Sequence, residues 1–158
     1  MIQFSQVLID KKKYIIANEG DQLVYLGWDL NAFKKKFPKH TEMSSAIQKQ
    51  VIMQLKEFLA GDRQGFDVPT KFYGTDFQKA VWKKLGKIAY GKTLTYGELA
   101  QKLGKPNASR AIGAACGKNP IAIMYPCHRV IGKSGALTGF AGGIDLKKKL
   151  LKIEGHIV

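Results

Sequence analysis

The chain has 158 residues, 45% of them hydrophobic and 10% aromatic, which suits a packed globular protein of one compact domain or two small ones. Its 26 Lys and Arg residues outnumber 12 Asp and Glu residues, and the net charge of +14 favours DNA or RNA as a partner over a merely solvated lysine-rich surface. The sequence contains no apolar run that could span a bilayer, no signal-peptide pattern and no convincing membrane-surface helix, so we expect a cytoplasmic protein without a membrane partner.

The first third of the chain predicts a hairpin, a connection and a helix. The segments KYIIAN and QLVYLGW flank EGD, which predicts a β-hairpin with Gly20 in its turn. The basic segment NAFKKKFPKH is interpreted as a connection. A helix that stops near Gly61 is then predicted by four apolar residues at helical spacing, Ile47, Val51, Leu55 and Phe58. The segment FDVPTKFYG is predicted to be extended, with Pro69 arguing against a central strand.

From Thr75 onward the pattern changes to short helices. Thr75 and Gln78 fit a capping box, which opens a helix with the apolar stripe Phe77, Val81, Leu85 and Ile88. The segments TLTYGELAQKLG and NASRAIGAACGKN, joined by GKPN, predict a helix-turn-helix whose second helix has the apolar face Ala111, Ile112 and Ala115. Residues 120–143 look like a glycine-rich loop, and IDLKKKLLKIEG predicts a final basic helix. We place the domain boundary near residues 66–74, between an α+β domain at 1–70 and a DNA-binding domain at 71–158.

Cys127 is the first candidate for chemistry, because it stands beside His128 and Arg129 in MYPCHRVIGKSG. A thiol attacks as thiolate, and these neighbours could supply a proton acceptor and a positive field. Adjacent side chains of an extended segment point in opposite directions, so a buried, inert cysteine is an open alternative. The only other cysteine is Cys116, and we expect neither a disulfide in a reducing compartment nor a structural zinc site without a CxxC pair.

Arg110 is the second candidate, because Gly113, Ala114 and Gly117 share its face of the predicted helix. Such a face could approach DNA closely with one projecting cation, although small residues also allow tight packing between helices. Taken alone, Tyr96 predicts a core tyrosine and Glu154 a solvated glutamate. The lysine run at 147–149 predicts a solvated face.

Three blocks of sequence resemble one known family. The segment NPIAIMYPCHRVIGKSGALTGFAGG resembles the active-site signature of the O6-alkylguanine-DNA alkyltransferases, also called methylated-DNA–protein-cysteine methyltransferases. TLTYGELAQKLGKPNASRAIGAACGKNP is similar to the helix-turn-helix of that family, and EGH is similar to its closing motif. The spacings between the blocks fit without a gap across the C-terminal half, whereas the N-terminal part is similar only in general style.

The resemblance implies a role for each matching residue. Cys127 would accept the alkyl group, and His128 would take the thiol proton through a water while Glu154 holds the histidine. Tyr96 would hydrogen-bond the guanine ring, and Asn119 would brace the turn under the cysteine. The base pocket would be lined by Tyr96, Val130, Phe140 and Ala141. Some relatives have tyrosine in place of Phe140, which should change the polarity of the pocket modestly.

The resemblance also implies how DNA is held. Arg110 would fill the base stack after the damaged base is flipped out. The remaining residues expected to contact DNA are Ala111, Gly113, Ala114 and Gly117. No cofactor is implied, and a zinc site that some relatives carry in the N-terminal domain is not expected, because no cysteine precedes Cys116.

The fold implied by the resemblance is α+β, with a small ribonuclease-H-like N-terminal domain of sheet plus helix and a winged-helix-like C-terminal domain. The implied function is direct, single-turnover transfer of the alkyl group from O6-alkylguanine in double-stranded DNA to Cys127, by a monomer, with O4-alkylthymine as a further candidate substrate. Two alternatives stay open at this point. They are a DNA-binding regulator without chemistry, and a cysteine hydrolase that uses Cys127 and His128.

Overall fold

The computed structural model describes residues 1–157 and divides into two compact units, which are described separately below. The first unit comprises Met1–Phe72, and the second begins at Tyr73. The chain contains both strands and helices, so the predicted α+β class is confirmed. None of the helices within residues 1–157 is long and apolar enough to cross a membrane.

A four-stranded sheet organises the first unit. Its strands are β1 (Ile2–Ile9), β2 (Lys12–Glu19), β3 (Gln22–Gly27) and β4 (Thr41–Glu42), in the order β3-β2-β1-β4. The first three strands are antiparallel neighbours, and β4 runs parallel to β1. The predicted hairpin of β2 and β3 is confirmed, with Gly20 at φ +60° in its turn. Strand β1 was not predicted from the sequence, because its alternation of apolar and polar residues breaks at Gln6.

The basic segment NAFKKKFPKH contains most of a helix, so its interpretation as a connection is wrong. Helix α1 (Leu30–Lys36) is capped by Asp29, whose side chain accepts from the Ala32 N–H at 3.0 Å. Three lysines in the last turn suit the negative end of the helix dipole. Phe33 is fully buried, and its ring centroid lies 5.0 Å from that of Phe4 on β1. One buried aromatic residue among lysines therefore fixes this helix to the sheet.

The second helix of the first unit, α2 (Ala46–Leu59), matches its prediction. The four residues predicted to form its apolar face are all buried, and Gly61, at φ +81°, follows the helix end. The segment predicted to be extended is held to the sheet by one parallel bridge between Thr70 and Leu23. The Leu23 N–H donates to the carbonyl oxygen of Pro69 at 2.8 Å, so Pro69 contributes only its acceptor.

The second unit is built from short elements. These are α3 (Asp76–Leu85), β5 (Leu94–Thr95), α4 (Tyr96–Lys102), α5 (Ser109–Gly117), β6 (Val130–Ile131) and α6 (Ile144–Ile153). Strands β5 and β6 pair in parallel. The capping box of Thr75 and Gln78 is confirmed, and Thr95 and Glu98 form a second box at the start of α4.

Helices α4 and α5 form the predicted pair around GKPN, with Gly104 at φ +70° just after α4. Helix α3 is tied to α5 by Trp82, whose Nε1–H donates to the carbonyl oxygen of Ala115 at 2.8 Å. Trp82 is fully buried, whereas Phe77, which was expected in the apolar stripe of α3, is only half-buried. The stripe of α3 is therefore centred nearer to Trp82 than its spacing predicts.

Candidate active site

Cys127 lies in a single 3-10 turn, Cys127–Arg129, directly before β6. Its N–H donates to the carbonyl oxygen of Tyr125 at 2.8 Å, and the residue is 9% exposed. The turn is not the extended segment that would send the side chains of Cys127 and His128 in opposite directions. Cys127 is therefore a buried residue within a tight turn.

Asn119 holds the loop that leads to this cysteine. Its Nδ2 donates to the carbonyl oxygen of Tyr125 at 2.7 Å, and its Oδ1 accepts from the Ile121 N–H at 3.1 Å. Within the loop, Ile123 has φ +70°, a left-handed conformation that is strained for a β-branched residue. One amide side chain thus stabilises a loop whose backbone is unfavourable by itself.

Glu154 is the hub of a buried polar cluster. One carboxylate oxygen, Oε2, lies 2.6 Å from Nε2 of His128, and neither side chain has any exposed surface. The other oxygen, Oε1, accepts from Nε of Arg129 at 2.8 Å and from the Gly91 N–H at 2.9 Å. The expectation that a lone glutamate here would be solvated is wrong, because Glu154 follows the last turn of α6 and faces the 3-10 turn of Cys127.

Arg129 supplies the positive charge of this cluster. Besides Glu154, its Nη1–H donates to the carbonyl oxygen of Ile88 at 2.6 Å, and its guanidinium carbon lies 5.6 Å from the ring centroid of Tyr90. Arg129 is thus fully engaged with Glu154, Ile88 and Tyr90. Its charge neutralises Glu154, and it is not the direct neighbour of the thiol that the sequence suggested.

The two acid–base residues of the cluster have different charges at rest. Burial lowers the pKa of His128, and its hydrogen bond with Glu154 offsets that shift only in part, so the imidazole is neutral at pH 7. Burial would raise the pKa of Glu154, but hydrogen bonds from His128, Arg129 and the Gly91 N–H outweigh it and lower this pKa to about 2. Neutral His128 donating from Nε2 carries its lone pair on Nδ1, where it can accept a proton.

Lys147 is a buried lysine, and the prediction of a solvated face at 147–149 is wrong for this residue. Its side chain has no exposed surface, whereas Lys148 is exposed. Its Nζ donates to the carbonyl oxygen of Val130 at 2.7 Å and lies 3.4 Å from that of Thr138. Burial lowers the pKa of Lys147, and the negative charges of the Cys127 and Cys116 thiolates would oppose this shift.

The Cys127 thiol is protonated in the resting protein. Burial raises its pKa, while a hydrogen bond from Asn119 and the positive charge of Lys147 act in the opposite direction. Cys116 is also buried, and burial raises its pKa to about 12. The charge of Lys147 acts on both thiols, but the stabilising hydrogen bond from Asn119 acts on Cys127.

Comparisons with known proteins agree on one family. Residues 76–156 match the sequence model described as 6-O-methylguanine DNA methyltransferase, DNA binding domain. The chain is 44% identical to the methylated-DNA–protein-cysteine methyltransferase of Methanosarcina acetivorans, over 89% of this chain and 90% of the relative. This chain belongs to the methylated-DNA–protein-cysteine methyltransferase family. The chain is also 55% identical to the methylated-DNA–protein-cysteine methyltransferase of Mycobacterium bovis, over 64% of this chain and 61% of that relative.

Solved structures support the family assignment over nearly the whole chain. The crystal structure of Mycobacterium tuberculosis OGT in complex with DNA matches with a TM-score of 0.87 and 41% identity, over 96% of this chain and 92% of that one. An O6-methylguanine DNA methyltransferase from Methanococcus jannaschii matches with a TM-score of 0.69 and 29% identity, over 97% and 95%. The N-terminal part, whose sequence resembled the family only in style, is therefore included in the structural match.

Residues expected to line a base pocket in this family differ in burial. The hydroxyl of Tyr96 lies 3.0 Å from Oγ1 of Thr138, a residue that no sequence motif singles out. Val130 is buried, Phe140 is half-buried and Ala141 is exposed. Burial raises the pKa of Tyr96, the Thr138 hydrogen bond lowers it, and the charges of Cys116 and Cys127 raise it. These electrostatic interactions indicate that the tyrosine hydroxyl lies near both thiols.

The predicted face of small residues around Arg110 on helix α5 is largely exposed to solvent. Arg110, Ala114 and Gly117 are exposed, and Gly113 is half-buried, where an added Cβ would lie 3.9 Å from the Tyr96 ring. Ala111 is exposed as well, so its placement on the apolar face with Ile112 and Ala115 is wrong, while the other two are buried. The second prediction for Ala111, as part of the DNA-contacting surface, stays a prediction.

Lys147 and Thr138 are the two residues near the thiol that sequence reasoning missed. A lysine within KKK carries no signal of burial, although its position three residues before the buried Leu150 places it on the apolar face of α6. Within residues 1–157, no group of three or more His, Cys, Asp and Glu side chains could hold a metal ion.

Proposed function

We propose that this protein repairs O6-alkylguanine in DNA by transferring the alkyl group to its own Cys127, once per molecule. The observation that carries the proposal is the hydrogen-bonded pair of neutral His128 and ionised Glu154 beside the buried Cys127 thiol, in a chain of this family. A regulator without chemistry would need none of these charges. The hydrolase alternative has no support among the relatives, which are named as methyltransferases.

The proposed reaction begins with activation of the thiol. His128 takes the proton of Cys127 at Nδ1, through a water, and Glu154 stabilises the imidazolium that forms. Lys147 and Asn119 stabilise the thiolate, by charge and by hydrogen bond respectively. Because the thiol is protonated at rest, its reactivity depends on this transfer.

The thiolate sulfur then attacks the alkyl carbon. A sulfur–carbon bond forms, the bond between that carbon and guanine O6 breaks, and its electron pair stays with guanine. The guanine takes up one proton, equivalent to the one the thiol lost, so the products are neutral guanine and a thioether at Cys127. Tyr96 stabilises the negative charge that develops on the leaving base. A thioether cannot be hydrolysed under these conditions, so each molecule acts once.

The damaged base must leave the duplex before the thiol can reach it. We infer that the exposed face of α5 lies against double-stranded DNA, where Ala111, Ala114 and Gly117 allow close approach and Arg110 fills the vacancy in the stack. The net charge of +14 supports binding to the phosphate backbone. The extruded base would then lie among Tyr96, Val130, Phe140 and Ala141, the pocket implied by the family resemblance.

The finer descriptions of the protein belong to the same proposal. The parallel addition of β4 to a three-stranded meander supports a ribonuclease-H-like first domain at 1–70, and the paired helices with a small sheet support a winged-helix-like second domain at 71–158. We infer a monomer, because the proposed chemistry needs no residue from a second chain. A reactive free thiol requires a reducing compartment, which supports a cytoplasmic location.

The test is incubation with duplex DNA that contains one O6-methylguanine. We expect the protein to gain the mass of one CH2 group, and the DNA to regain an unmodified guanine. The same duplex without the lesion is the control. Loss of the methyl group from DNA without a gain in protein mass would overturn the proposal, as would repeated turnover by substoichiometric protein.

A further inference from the structure

Thr138 connects the hydroxyl of Tyr96 with the buried Lys147. Its Oγ1 lies 3.0 Å from the Tyr96 hydroxyl, and its carbonyl oxygen lies 3.4 Å from Nζ of Lys147. Its methyl carbon lies next to Gly132, where an added Cβ would be 3.0 Å away from it. The hydroxyl of Thr138 therefore contacts Tyr96, while its backbone carbonyl oxygen is near Lys147.

The hydrogen bond between these two hydroxyls can run in either direction. If Tyr96 donates to Thr138, the phenolic proton is already in use and cannot reach a base. If Thr138 donates, the phenolic oxygen is the acceptor and the proton of Tyr96 stays available. A donor that also accepts a hydrogen bond is strengthened by it, because the two bonds polarise each other.

We propose that Thr138 is a positioning residue that donates to the phenolic oxygen of Tyr96 during alkyl transfer and so directs the tyrosine proton to the leaving guanine. This inference rests on the proposed function. Thr138 does not touch the alkyl carbon, and the bonds that form and break are those already described. Its contribution is to the stability of the guanine anion, not to activation of the thiol.

The test uses the free base O6-benzylguanine with Thr138→Val, which keeps the shape of the side chain but removes its hydroxyl, and with Thr138→Ser as the matched control. We expect single-turnover benzyl transfer to slow about three- to tenfold in Thr138→Val, the size that one hydrogen bond supplies, and to stay within about twofold of wild type in Thr138→Ser. In the Tyr96→Phe variant, adding Thr138→Val should cause no further loss. Alkylation of Cys127 by iodoacetamide, which needs no base as leaving group, should be equal in wild type and Thr138→Val.

Several outcomes would overturn this role. They are a Thr138→Val rate equal to wild type, a further loss from Thr138→Val in the Tyr96→Phe variant, or an equal loss with iodoacetamide. If Thr138→Val does not fold, Thr138→Ala replaces it, since it also lacks the hydroxyl. Failure of the wild type to take the methyl group from O6-methylguanine in duplex DNA would instead contradict the proposed function, so the two failures are distinguishable.

A second, independent feature is a cavity of about 260 Å³ in the second unit, lined by Lys84, Lys87, Lys92 and Lys102 over an apolar floor that includes Ile88 and Leu94. Lys84 and Lys102 lie in the last turns of α3 and α4, where a lysine suits the helix dipole. That reason does not extend to Lys87 and Lys92, which lie outside any helix.

The charge of this cavity is not compensated from within. Among the residues that the structure describes, no Asp or Glu lines it, and the carboxylate that interacts with Lys102 is exposed Glu98 on α4. Four ammonium groups around one concave surface repel each other unless an anion lies between them. No residue of α5 lines the cavity, so it is separate from the exposed face of that helix.

The geometry points to this cavity as a second DNA contact, in which the lysines bind backbone phosphates and the apolar floor accepts deoxyribose. Each phosphate contact contributes about 0.9 to the slope of log K against log salt. Replacing all four lysines by glutamine should therefore make the salt dependence of binding to undamaged duplex DNA weaker. The magnitude of the slope of log K against log salt should decrease by about 3 to 4. The matched control replaces four exposed lysines of the first unit, Lys13, Lys34, Lys35 and Lys39, and removes the same charge.

The control variant should change the slope by less than about 1, and the arginine version of the cavity variant should keep the slope of wild type. An equal change in the cavity and control variants would show a general charge effect and overturn the site, as would an unchanged slope in the cavity variant. Reaction with free O6-benzylguanine should be unaffected by the cavity substitutions. This reaction checks the fold and separates failure of the site from failure of the proposed function.

Discussion

The carboxylate of Glu154 lies 2.6 Å from Nε2 of His128, and both side chains are fully buried. Because Arg129 and the Gly91 N–H occupy the other oxygen of that carboxylate, its negative charge is balanced without protonation of the histidine. The pair is therefore a carboxylate beside a neutral imidazole, and under the proposed function it would receive the proton of Cys127.

Removing the charge of Glu154 should damage both stability and reactivity. In Glu154→Gln, the buried guanidinium of Arg129 loses its counterion, a change that typically costs about 3 to 5 kcal/mol of unfolding free energy. Benzyl transfer from O6-benzylguanine should slow at least about tenfold, because the imidazolium loses its stabilising charge. Urea denaturation and single-turnover kinetics measure the two effects.

The matched control is Glu57→Gln. Glu57 pairs with Arg63 at 3.0 Å on the surface, where such pairs contribute little, so the stability of this variant should stay close to that of wild type. Similar stability and rate in both variants would contradict the role of Glu154 as a buried counterion.

Stability should fall as the solution is acidified below neutral pH. Burial holds the folded pKa of His128 below its unfolded value of about 6.5. As pH falls below that value, the unfolded chain binds a proton that the folded protein does not, so the free energy of unfolding decreases. The folded pKa of Glu154 is about 2, against about 4.3 when unfolded, so its contribution is present above the unfolded value and is lost as pH falls toward 2. Both shifts act in the same direction.

Denaturation between pH 7 and pH 5 isolates the histidine. The fall in unfolding free energy over this range should be smaller in His128→Gln than in wild type, because the titrating group is absent. An identical pH dependence in the two proteins would show that His128 is not held neutral by the fold.

The two cysteines should behave differently. Cys127→Ser should abolish alkyl transfer and leave DNA binding largely intact, because a serine hydroxyl stays protonated at neutral pH and is a weak nucleophile. Cys116→Ser should keep stoichiometric repair, since burial raises the pKa of Cys116 to about 12 and leaves it inert. Protein mass after incubation with damaged duplex decides both. Loss of the adduct in Cys116→Ser alone would mean that the wrong thiol has been identified.

Lys147 should control the pH at which the thiol reacts. In Lys147→Met, the positive charge near Cys127 is lost, so the pKa of the thiol should rise and the pH–rate profile of benzyl transfer should move to higher pH. The exposed neighbour provides the control, and Lys148→Met should keep the wild-type profile. An unchanged pH–rate profile in Lys147→Met would show that Lys147 has only a structural role, through its hydrogen bond with the Val130 carbonyl oxygen.

Arg110 should matter only when the base has to leave a duplex. Arg110→Ala should slow repair of O6-methylguanine in saturating duplex DNA by about ten- to hundredfold, because unstacking costs a few kcal/mol and each 1.4 kcal/mol is about tenfold in rate. Attack on free O6-benzylguanine should change much less. An equal loss on both substrates would show support of the pocket or fold, and a saturating duplex rate equal to wild type would leave only a phosphate contact.

Periodic elements of this fold could be predicted from the sequence. The apolar spacing of α2, the capping box at Thr75 and the Gly20 hairpin are local patterns with local causes. Helix α1 could not be predicted in this way, because Phe33 is its only fully buried residue and three lysines follow directly after it. Strand β1 was missed for a similar reason, since its pairing with β2, not its own alternation, defines it.

For the candidate site, the residue types came from the motif, but the distribution of charge did not. The sequence placed Arg129 beside the thiol, whereas the fold directs its guanidinium to Glu154. It placed Lys147 in solvent, whereas α6 buries it against the carbonyl oxygen of Val130. Thr138 lies within the signature segment without an assigned role, and only the fold brings it to Tyr96. Contacts between distant segments decide all three.

The most direct test of the account locates the transferred group within the protein. Wild-type protein is incubated with a slight excess of duplex that contains one O6-methylguanine, digested, and the peptide that carries Cys127 is sequenced by mass spectrometry. We predict one S-methyl group on Cys127 per molecule, none on Cys116, and no further repair when fresh damaged DNA is added. A methyl group at any other residue, or continued repair by the methylated protein, would contradict the account.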